Sequence, residues 1–152
     1  MHRPSTLSVR VLATLGATAI IDRKTLELGT KPMEHADWGG AVDNLGGEIL
    51  TWLTRTVKPG GNIASIGLAA GFELNTTVIP FILRGISLLG ITMEVGHALR
   101  TELWSRLGND LKPRHLDRIV SREITLSELS DCFDAYMSGS VVGRTLVRIQ
   151  KS

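Results

Sequence analysis

The chain of 152 residues is long enough for one globular domain that buries about two thirds of its unfolded surface. Hydrophobic residues make up 43% and charged residues 21%, a composition that argues against disorder. The formal net charge of +2 comes from scattered basic residues without an aromatic cluster beside them, so we expect no nucleic-acid partner.

The cysteine content and the first ten residues indicate in which cellular compartment the protein is expected. Cys132 is the only cysteine, which excludes an internal disulfide and a cysteine-rich zinc site and fits a reducing compartment. The start, MHRPSTLSVR, lacks the apolar run of a signal peptide, and no stretch approaches the ~18 apolar residues of a membrane-spanning helix. The histidines have no carboxylate or cysteine at metal-ligand spacing. We therefore expect a cytoplasmic protein without membrane contact or a metal site.

The first half of the chain predicts the order α, β, β, α, β. Apolar residues at helical spacing predict a helix over 6–15, and the stretches ATAIID and GGAVD predict short strands at 17–22 and 39–43. The one-sided apolar pattern of ILTWLTRTV predicts a second helix, which ends at the KPGG turn. Small and β-branched residues predict a strand over 62–67.

The stretch TTVIPFILRGISLLGI (76–91) contains two apolar bursts with Arg84 between them. Each burst is far too short to span a bilayer. Pro80 disfavours helical geometry in the residue before it, so we expect TTVI to be extended, a helical turn to begin at Pro80, and GISLLGI to form a strand. From the pattern alone, the apolar residues of FIL fill core or line a pocket.

The remaining elements complete an alternating pattern. Leucines at i, i+4 spacing predict a helix from Leu99 to Leu111, REITL predicts extended chain, and Ser127 is predicted to cap a helix. The alternating stretch GRTLVRIQ (143–150) predicts a final strand. Strands that alternate with helices indicate a parallel α/β sheet, in which ligands bind beyond the carboxyl ends of the strands.

Three predicted strand ends carry glycine or small polar residues: DNLGG at 43–47, SIGLAAG at 65–71 and GITM at 90–93. The glycine motifs of dinucleotide and nucleotide phosphate loops and the common hydrolase motifs are absent from the sequence. The first turn has two interpretations. Asn44 caps the next helix, or Asn44 and the backbone amides face a cofactor at the helix N-terminus.

Four stretches, WGGAVDNLGG, GGNIASIGLAAG, TTVIPFILRGISLLGI and GRTLV, together resemble one family. They are similar to the acrylyl-CoA reductase or YhdH-type quinone oxidoreductase branch of the medium-chain dehydrogenase/reductase superfamily. The resemblance runs from about residue 3 to 150, and TTVIPFILRG is its most specific part. Family members combine a GroES-like catalytic domain with a Rossmann domain and use NADPH, without zinc, to reduce an activated double bond.

The resemblance implies an α/β chain that is an incomplete Rossmann (dinucleotide-binding) domain, lacking its first two strands, its phosphate-binding turn and the GroES-like domain. Residues 1–140 would be the partial NADP-binding domain, and residues 141–152 a strand returning to the missing catalytic domain. In the family's sheet order, 3-2-1-4-5-6, the missing strands are central, so ATAIID loses its neighbours and GAVD gains an open edge. The last Rossmann strand, SLLGI, would form the edge of a homodimer.

The resemblance also implies cofactor contacts. Arg3 and Ser5 match positions that hold the adenosine 2′-phosphate. A guanidinium suits a phosphate because its N–H donors form a fixed fork. Arg23 matches a further basic position near that phosphate. Asn44 replaces a threonine of relatives and keeps its hydrogen-bonding capacity. For Arg23, a plain surface role is an equal alternative.

Further contacts are implied at the nicotinamide end. Gly67 and Leu68 match the loop beside the nicotinamide, and Ile82 matches a position whose backbone approaches the carboxamide. Met93 matches the last cofactor contact, and Arg144 would lie near the seam with the missing domain, where a packing or surface role is an equal alternative. No residue matches a general acid, so the catalytic residues stay unassigned.

The implied function is NADPH-dependent reduction of the activated C=C bond of an enoyl-CoA such as acrylyl-CoA, or of a quinone or enone. The alternative is a non-catalytic fragment, which binds nucleotide or oligomerises through its edge strand. For the isolated chain we expect the alternative, because half of the cofactor site has no counterpart in the sequence.

Overall fold

The computed structural model describes residues 6–23, 25–92 and 94–149. Its helices are α1 (Thr6–Thr14), α2 (Gly47–Thr56), α3 (Ile79–Arg84), α4 (His97–Gly108), α5 (Leu116–Ile119) and α6 (Phe133–Met137). Its strands are β1 (Ala41–Asp43), β2 (Asn62–Ser65), β3 (Ser87–Gly90), β4 (Val120–Thr125) and β5 (Arg144–Arg148). The chain divides into two compact units, a middle unit (Glu27–Gly96) and a flanking unit made of the described residues on either side of it.

The middle unit is built on a parallel sheet with the strand order β1-β2-β3. Ala41, Ile63 and Leu88 pair across the three strands in one row, and Val42, Ala64 and Leu89 pair in the next. Successive residues of a strand point to opposite faces, so these two rows lie on opposite faces of the sheet. The expected parallel α/β arrangement is confirmed.

Helix α2 covers one face of this sheet. Its residues Leu50 and Leu53, with Val57 just after it, lie at helical spacing and are buried together with Ile63 and Ile86. Burial of each such side chain contributes about 1.5–3 kcal/mol to the free energy of folding. The apolar spacing that predicted the helix is therefore also what attaches it to the sheet.

The opposite face of the sheet is largely bare. Val42 is 68% exposed and Leu89 is 47% exposed, although both lie on strands of a parallel sheet. Parallel sheets are usually covered by helices on both faces. The exposure of Val42 and Leu89 therefore departs from this usual pattern.

Residues 17–22 form no strand, so that prediction was wrong. The ATAIID pattern has the composition of a strand, but a strand needs a neighbour to pair its backbone N–H and C=O groups. No described strand pairs with this stretch. It runs as irregular chain after the turn at Gly16, whose φ is 102°.

The flanking unit contains a parallel pair of strands, β4 and β5. Helix α4 carries the predicted leucines, but none of its residues is buried, and it ends at Gly108, so Leu111 lies beyond it. The short helix α5 was not predicted. None of the helices in the described ranges has the length and apolar content needed to cross a membrane.

The turn after β4 is capped by Thr125 and not, as predicted, by Ser127. The backbone N–H of Thr125 donates to Oε2 of Glu128 at 2.8 Å, and the Thr125 hydroxyl donates to the same oxygen at 2.7 Å. Thr125 has the extended backbone that an N-cap requires, with φ −85° and ψ 166°, and Glu128 follows three residues later. A capping box therefore starts one residue before the 3₁₀ turn Leu126–Glu128.

We expect this capping box to weaken in acid. The backbone and side-chain hydrogen bonds from Thr125 hold the pKa of Glu128 below its usual value, with a smaller contribution from the charge of Arg122. Because the folded-state pKa is the lower one, the stabilisation is present above the ordinary glutamate pKa and is lost as the pH falls through the lowered value. An NMR titration of the Glu128 carboxyl should show the lowered pKa, and Thr125→Val should return it towards normal. A normal pKa in the unchanged protein would contradict the capping box.

Candidate functional site

The loops that follow β1 and β2 meet at the carboxyl end of the sheet. The backbone oxygen of Asp43 accepts hydrogen bonds from the amides of Ile66 at 2.8 Å and Gly67 at 3.3 Å. The backbone oxygen of Asn44 accepts one from Ala69 at 3.3 Å. These bonds join the DNLGG turn to the SIGLAAG loop, two of the three strand ends expected to carry the site.

The buried carboxylate of Asp43 shapes the first of these loops. Asp43 is 2% exposed. Its Oδ1 accepts the amide of Leu45 at 3.1 Å, and its Oδ2 accepts the amide of Gly46 at 3.0 Å. Charge-assisted bonds of this kind offset the cost of burying a carboxylate.

Asn44 is not the cap of α2, so that interpretation was wrong. The N-cap of α2 is Gly46, and no side chain bonds there. The Asp43 carboxylate instead accepts hydrogen bonds from the backbone amides of Leu45 and Gly46 in this turn, whereas Asn44 is exposed. An aspartate before a glycine turn was the local signal that could have identified this role.

Glycines allow the two loops to approach each other closely. A Cβ on Gly67 would lie 2.7 Å from the backbone oxygen of Asn44. Gly46 has φ +67°, and a Cβ there would lie 2.1 Å from the backbone oxygen of Gly71. Both positions exclude a side chain, because these distances are shorter than real Cβ contacts.

Two cavities lie beside these loops in the middle unit. The smaller, of about 240 Å³, is lined by Gly46, Leu50, Ser65, Ile66, Gly67, Leu68, Gly71 and Phe72. The larger, of about 380 Å³, lies between α2 and the loops around residues 28–29 and 70–75. Small-molecule sites usually enclose about 300–1,000 Å³, so the smaller cavity fits one ring of a ligand and not a whole dinucleotide.

The structure brings three of the sequence-predicted site residues together. Asn44, Gly67 and Leu68 lie on the two joined loops, with Leu68 66% exposed. Ile82 lies in the same unit on α3, where it is 73% exposed and its amide donates to Val78 at 3.0 Å. The Ile82 amide therefore already donates its hydrogen bond within this helical turn.

The other predicted site residues belong to the flanking unit or lie outside the described residues. Arg3, Ser5 and Met93 are outside them. Arg23 and Arg144 are exposed in the flanking unit, and Arg144 begins β5 opposite Val120. In the part of the chain that the structure describes, no group of three or more His, Cys, Asp or Glu side chains could hold a metal ion.

Arg84, which the sequence showed only as a break between apolar bursts, connects three segments. Its Nη1 donates to the backbone oxygens of Arg55 at 2.7 Å and Val57 at 3.3 Å, at the end of α2. Its Nη2 donates to the backbone oxygen of Glu34. A basic residue in the last turn of a helix was the available signal, but the partners are too distant in sequence to be predicted.

A parallel sheet with a helix on one face and glycine-containing loops at the carboxyl ends of its strands is the arrangement of a dinucleotide-binding α/β domain. No family model matches the chain. It is similar to the acrylyl-CoA reductase AcuI of Ruegeria pomeroyi, at 38% identity over 149 residues, which are 97% of this chain and 44% of that protein. It is also similar to YhfP of Bacillus subtilis, proposed to be a quinone oxidoreductase, at 39% identity over 140 residues, or 91% of this chain and 42% of that protein.

Solved structures agree with these relatives. The crystal structure of Bacillus subtilis YhfP with NAD bound matches with a TM-score of 0.86 at 37% identity, covering 93% of this chain and 44% of that one. The YhdH oxidoreductase from Salmonella enterica in complex with NADP matches with a TM-score of 0.84 at 37% identity, covering 95% and 44%. The resemblance to this branch is confirmed, and the fold is that of a partial Rossmann domain. The chain spans less than half the length of the relatives it matches.

Proposed function

We propose that this chain is part of an NADPH-dependent oxidoreductase that reduces the activated C=C bond of an enoyl-CoA resembling acrylyl-CoA, or of a quinone or enone. The observation that carries the proposal is the 38% identity to an acrylyl-CoA reductase over 97% of the chain. The joined strand-end loops support it, because they form the place where such sheets bind dinucleotides.

In this proposal the nicotinamide end of the cofactor lies beside the joined loops. Gly67 and Leu68 would line the ring's cavity, and Asn44 would donate or accept a hydrogen bond at its rim. Because the Ile82 amide is bound to Val78, the backbone group of Ile82 left for the carboxamide is its carbonyl oxygen. When bound, the cofactor supplies the hydride, and these residues orient it.

The adenosine end would be held by residues from elsewhere in the chain. Arg3, Ser5 and Arg23 are proposed to bind the 2′-phosphate through charge-assisted hydrogen bonds. Met93 and Arg144 are proposed as the remaining contacts to the cofactor, away from its adenosine end.

The proposed domain organisation follows the same relatives. Residues 1–140 would belong to the NADP-binding domain, and residues 141–152 would return to a catalytic domain. We further propose a homodimer through the outer strand β3 and a cytoplasmic location.

A second candidate is a non-catalytic fragment that binds nucleotide or oligomerises. The exposure of Val42 favours it, because the strands of a parallel sheet are usually buried on both faces. Titrating the purified chain with NADPH, and then adding acrylyl-CoA, separates the candidates. Turnover supports the reductase, binding without turnover supports the remnant, and the absence of both rejects nucleotide binding altogether.

Replacing Arg3 with alanine should weaken NADPH binding about tenfold to a hundredfold and leave NADH binding almost unchanged. The loss corresponds to charge-assisted hydrogen bonds to the 2′-phosphate, which NADH lacks. Fluorescence titration with both cofactors measures it, and Arg10→Ala, on the exposed side of α1, is the control. Equal losses for the two cofactors would refute the assignment.

A further inference from the structure

We infer that Thr54, with Thr51 one helical turn before it, is a positioning residue for the cofactor-facing turn around Ile82. The inference rests on the proposed function, since it assigns a role at the same site. It concerns the segment 75–84, which runs from the polar start of the TTVIPFILR stretch to the end of α3.

Two threonines on the buried side of α2 hold the beginning of this segment. Thr54 is fully buried, and its hydroxyl donates to the backbone oxygen of Thr51 at 2.7 Å. The Thr54 oxygen also lies 2.7 Å from the hydroxyl oxygen of Thr76. A hydroxyl has one proton, so Thr76 must be the donor in that second bond.

The neighbouring residue Asn75 is held through its backbone. Its amide donates to the hydroxyl oxygen of Thr51 at 3.0 Å, and its carbonyl oxygen accepts from Nη2 of Arg55 at 3.2 Å. Residues 75 and 76 are therefore attached to α2 by three hydrogen bonds from side chains on two successive turns.

The end of the segment is attached to the same helix. Arg84 donates to the backbone oxygens of Arg55 and Val57 at the end of α2. Between the two attachments, Pro80 is fully buried and Phe81 packs on the core. Ile82 is left exposed between them, in a turn whose two ends cannot move independently of α2.

Packing alone does not require a hydroxyl at position 54. Threonine is a poor helix former, and a buried hydroxyl costs free energy unless it is bonded. Valine has nearly the same shape and would fill the same space. The bond to the backbone oxygen of Thr51 stays within α2, whereas the bond to Thr76 joins the helix to the following segment. The specific contribution of the hydroxyl is therefore the orientation of the turn that follows Thr76.

The test compares Thr54→Val with Thr54→Ser, which keeps the hydroxyl. The control is Thr56→Val, because Thr56 is also buried on α2 but its hydroxyl donates to the backbone oxygen of Trp52, one turn earlier in the same helix. In Thr54→Val we expect amide exchange in residues 77–84 to accelerate about tenfold and NADPH affinity to fall about tenfold. Thr54→Ser should restore both to within about twofold, and Thr56→Val should change neither.

Thr76→Val removes the same bond from the loop side and is used if Thr54→Val does not fold. Unchanged NADPH affinity in a folded variant without this bond would overturn the inference and leave the proposed function standing. Failure of the unchanged chain to bind either NADPH or NADH would overturn both. Loss of affinity that Thr54→Ser does not restore would show a packing role and would also overturn the inference.

Discussion

Replacing Gly46 with alanine should destabilise the middle unit by about 3–4 kcal/mol. Part of this cost is conformational, because Gly46 has φ 67° and ψ −158°, a backbone region that is essentially restricted to glycine and costs another residue about 1–3 kcal/mol. The rest is steric, since the new Cβ would lie 2.1 Å from the backbone oxygen of Gly71. That contact is with backbone and not with a flexible side chain, so the two strand-end loops would have to separate.

Urea unfolding followed by tryptophan fluorescence measures this effect. Trp38 and Trp52 lie in the middle unit with ring centroids 6.0 Å apart. Gly85→Ala is the control for a positive φ without crowding, because Gly85 has the left-handed conformation (φ 59°, ψ 30°) and no atom within 4 Å of its would-be Cβ. It should lose only the conformational part, about 1–2 kcal/mol. Equal losses in the two variants would contradict the close packing of the loops.

Replacing Arg84 with alanine should lower the free energy of unfolding of the middle unit by about 2–3 kcal/mol. A hydrogen bond to a charged donor contributes about 1.5–3 kcal/mol, and here the half-buried position of the guanidinium reduces the total. The substitution would leave the backbone oxygens of Arg55, Val57 and Glu34 without this donor.

The geometry of Arg84 predicts that Arg84→Lys will be intermediate in stability between the unchanged protein and Arg84→Ala. The planar guanidinium reaches carbonyls of two segments at once, whereas a lysine ammonium cannot match this fork. Arg84→Lys should therefore recover less than half of the stability lost in Arg84→Ala, as measured by the same unfolding experiment. Full recovery by lysine would mean that charge alone is sufficient and would contradict the proposed connection.

Elements that depend on local pattern were predictable. The parallel strands β1, β2 and β3 and the helix α2 were confirmed, because apolar spacing and the glycine turns that end each element are properties of short stretches. The resemblance of the chain to one family was confirmed as well. The sequence alone was therefore sufficient for the fold class and for naming the relatives.

The wrong predictions have a common cause. Residues 17–22 have strand composition, but none of the described strands pairs with them. Asn44 and Ser127 are good capping residues, yet Asp43 takes the turn amides near the first, and Thr125 caps the turn beside the second. In each case propensity was judged correctly, and the available hydrogen-bond partners decided the outcome.

By itself, the sequence determined which strand ends carry glycine, and hence where a dinucleotide site would form. Only the tertiary structure decided how those loops are held. The bond between the hydroxyls of Thr54 and Thr76 spans 22 residues, and the bond from Arg84 to Glu34 spans 50. No local pattern encodes such partners, because they meet only after α2 has packed on the sheet and brought the distant segments together.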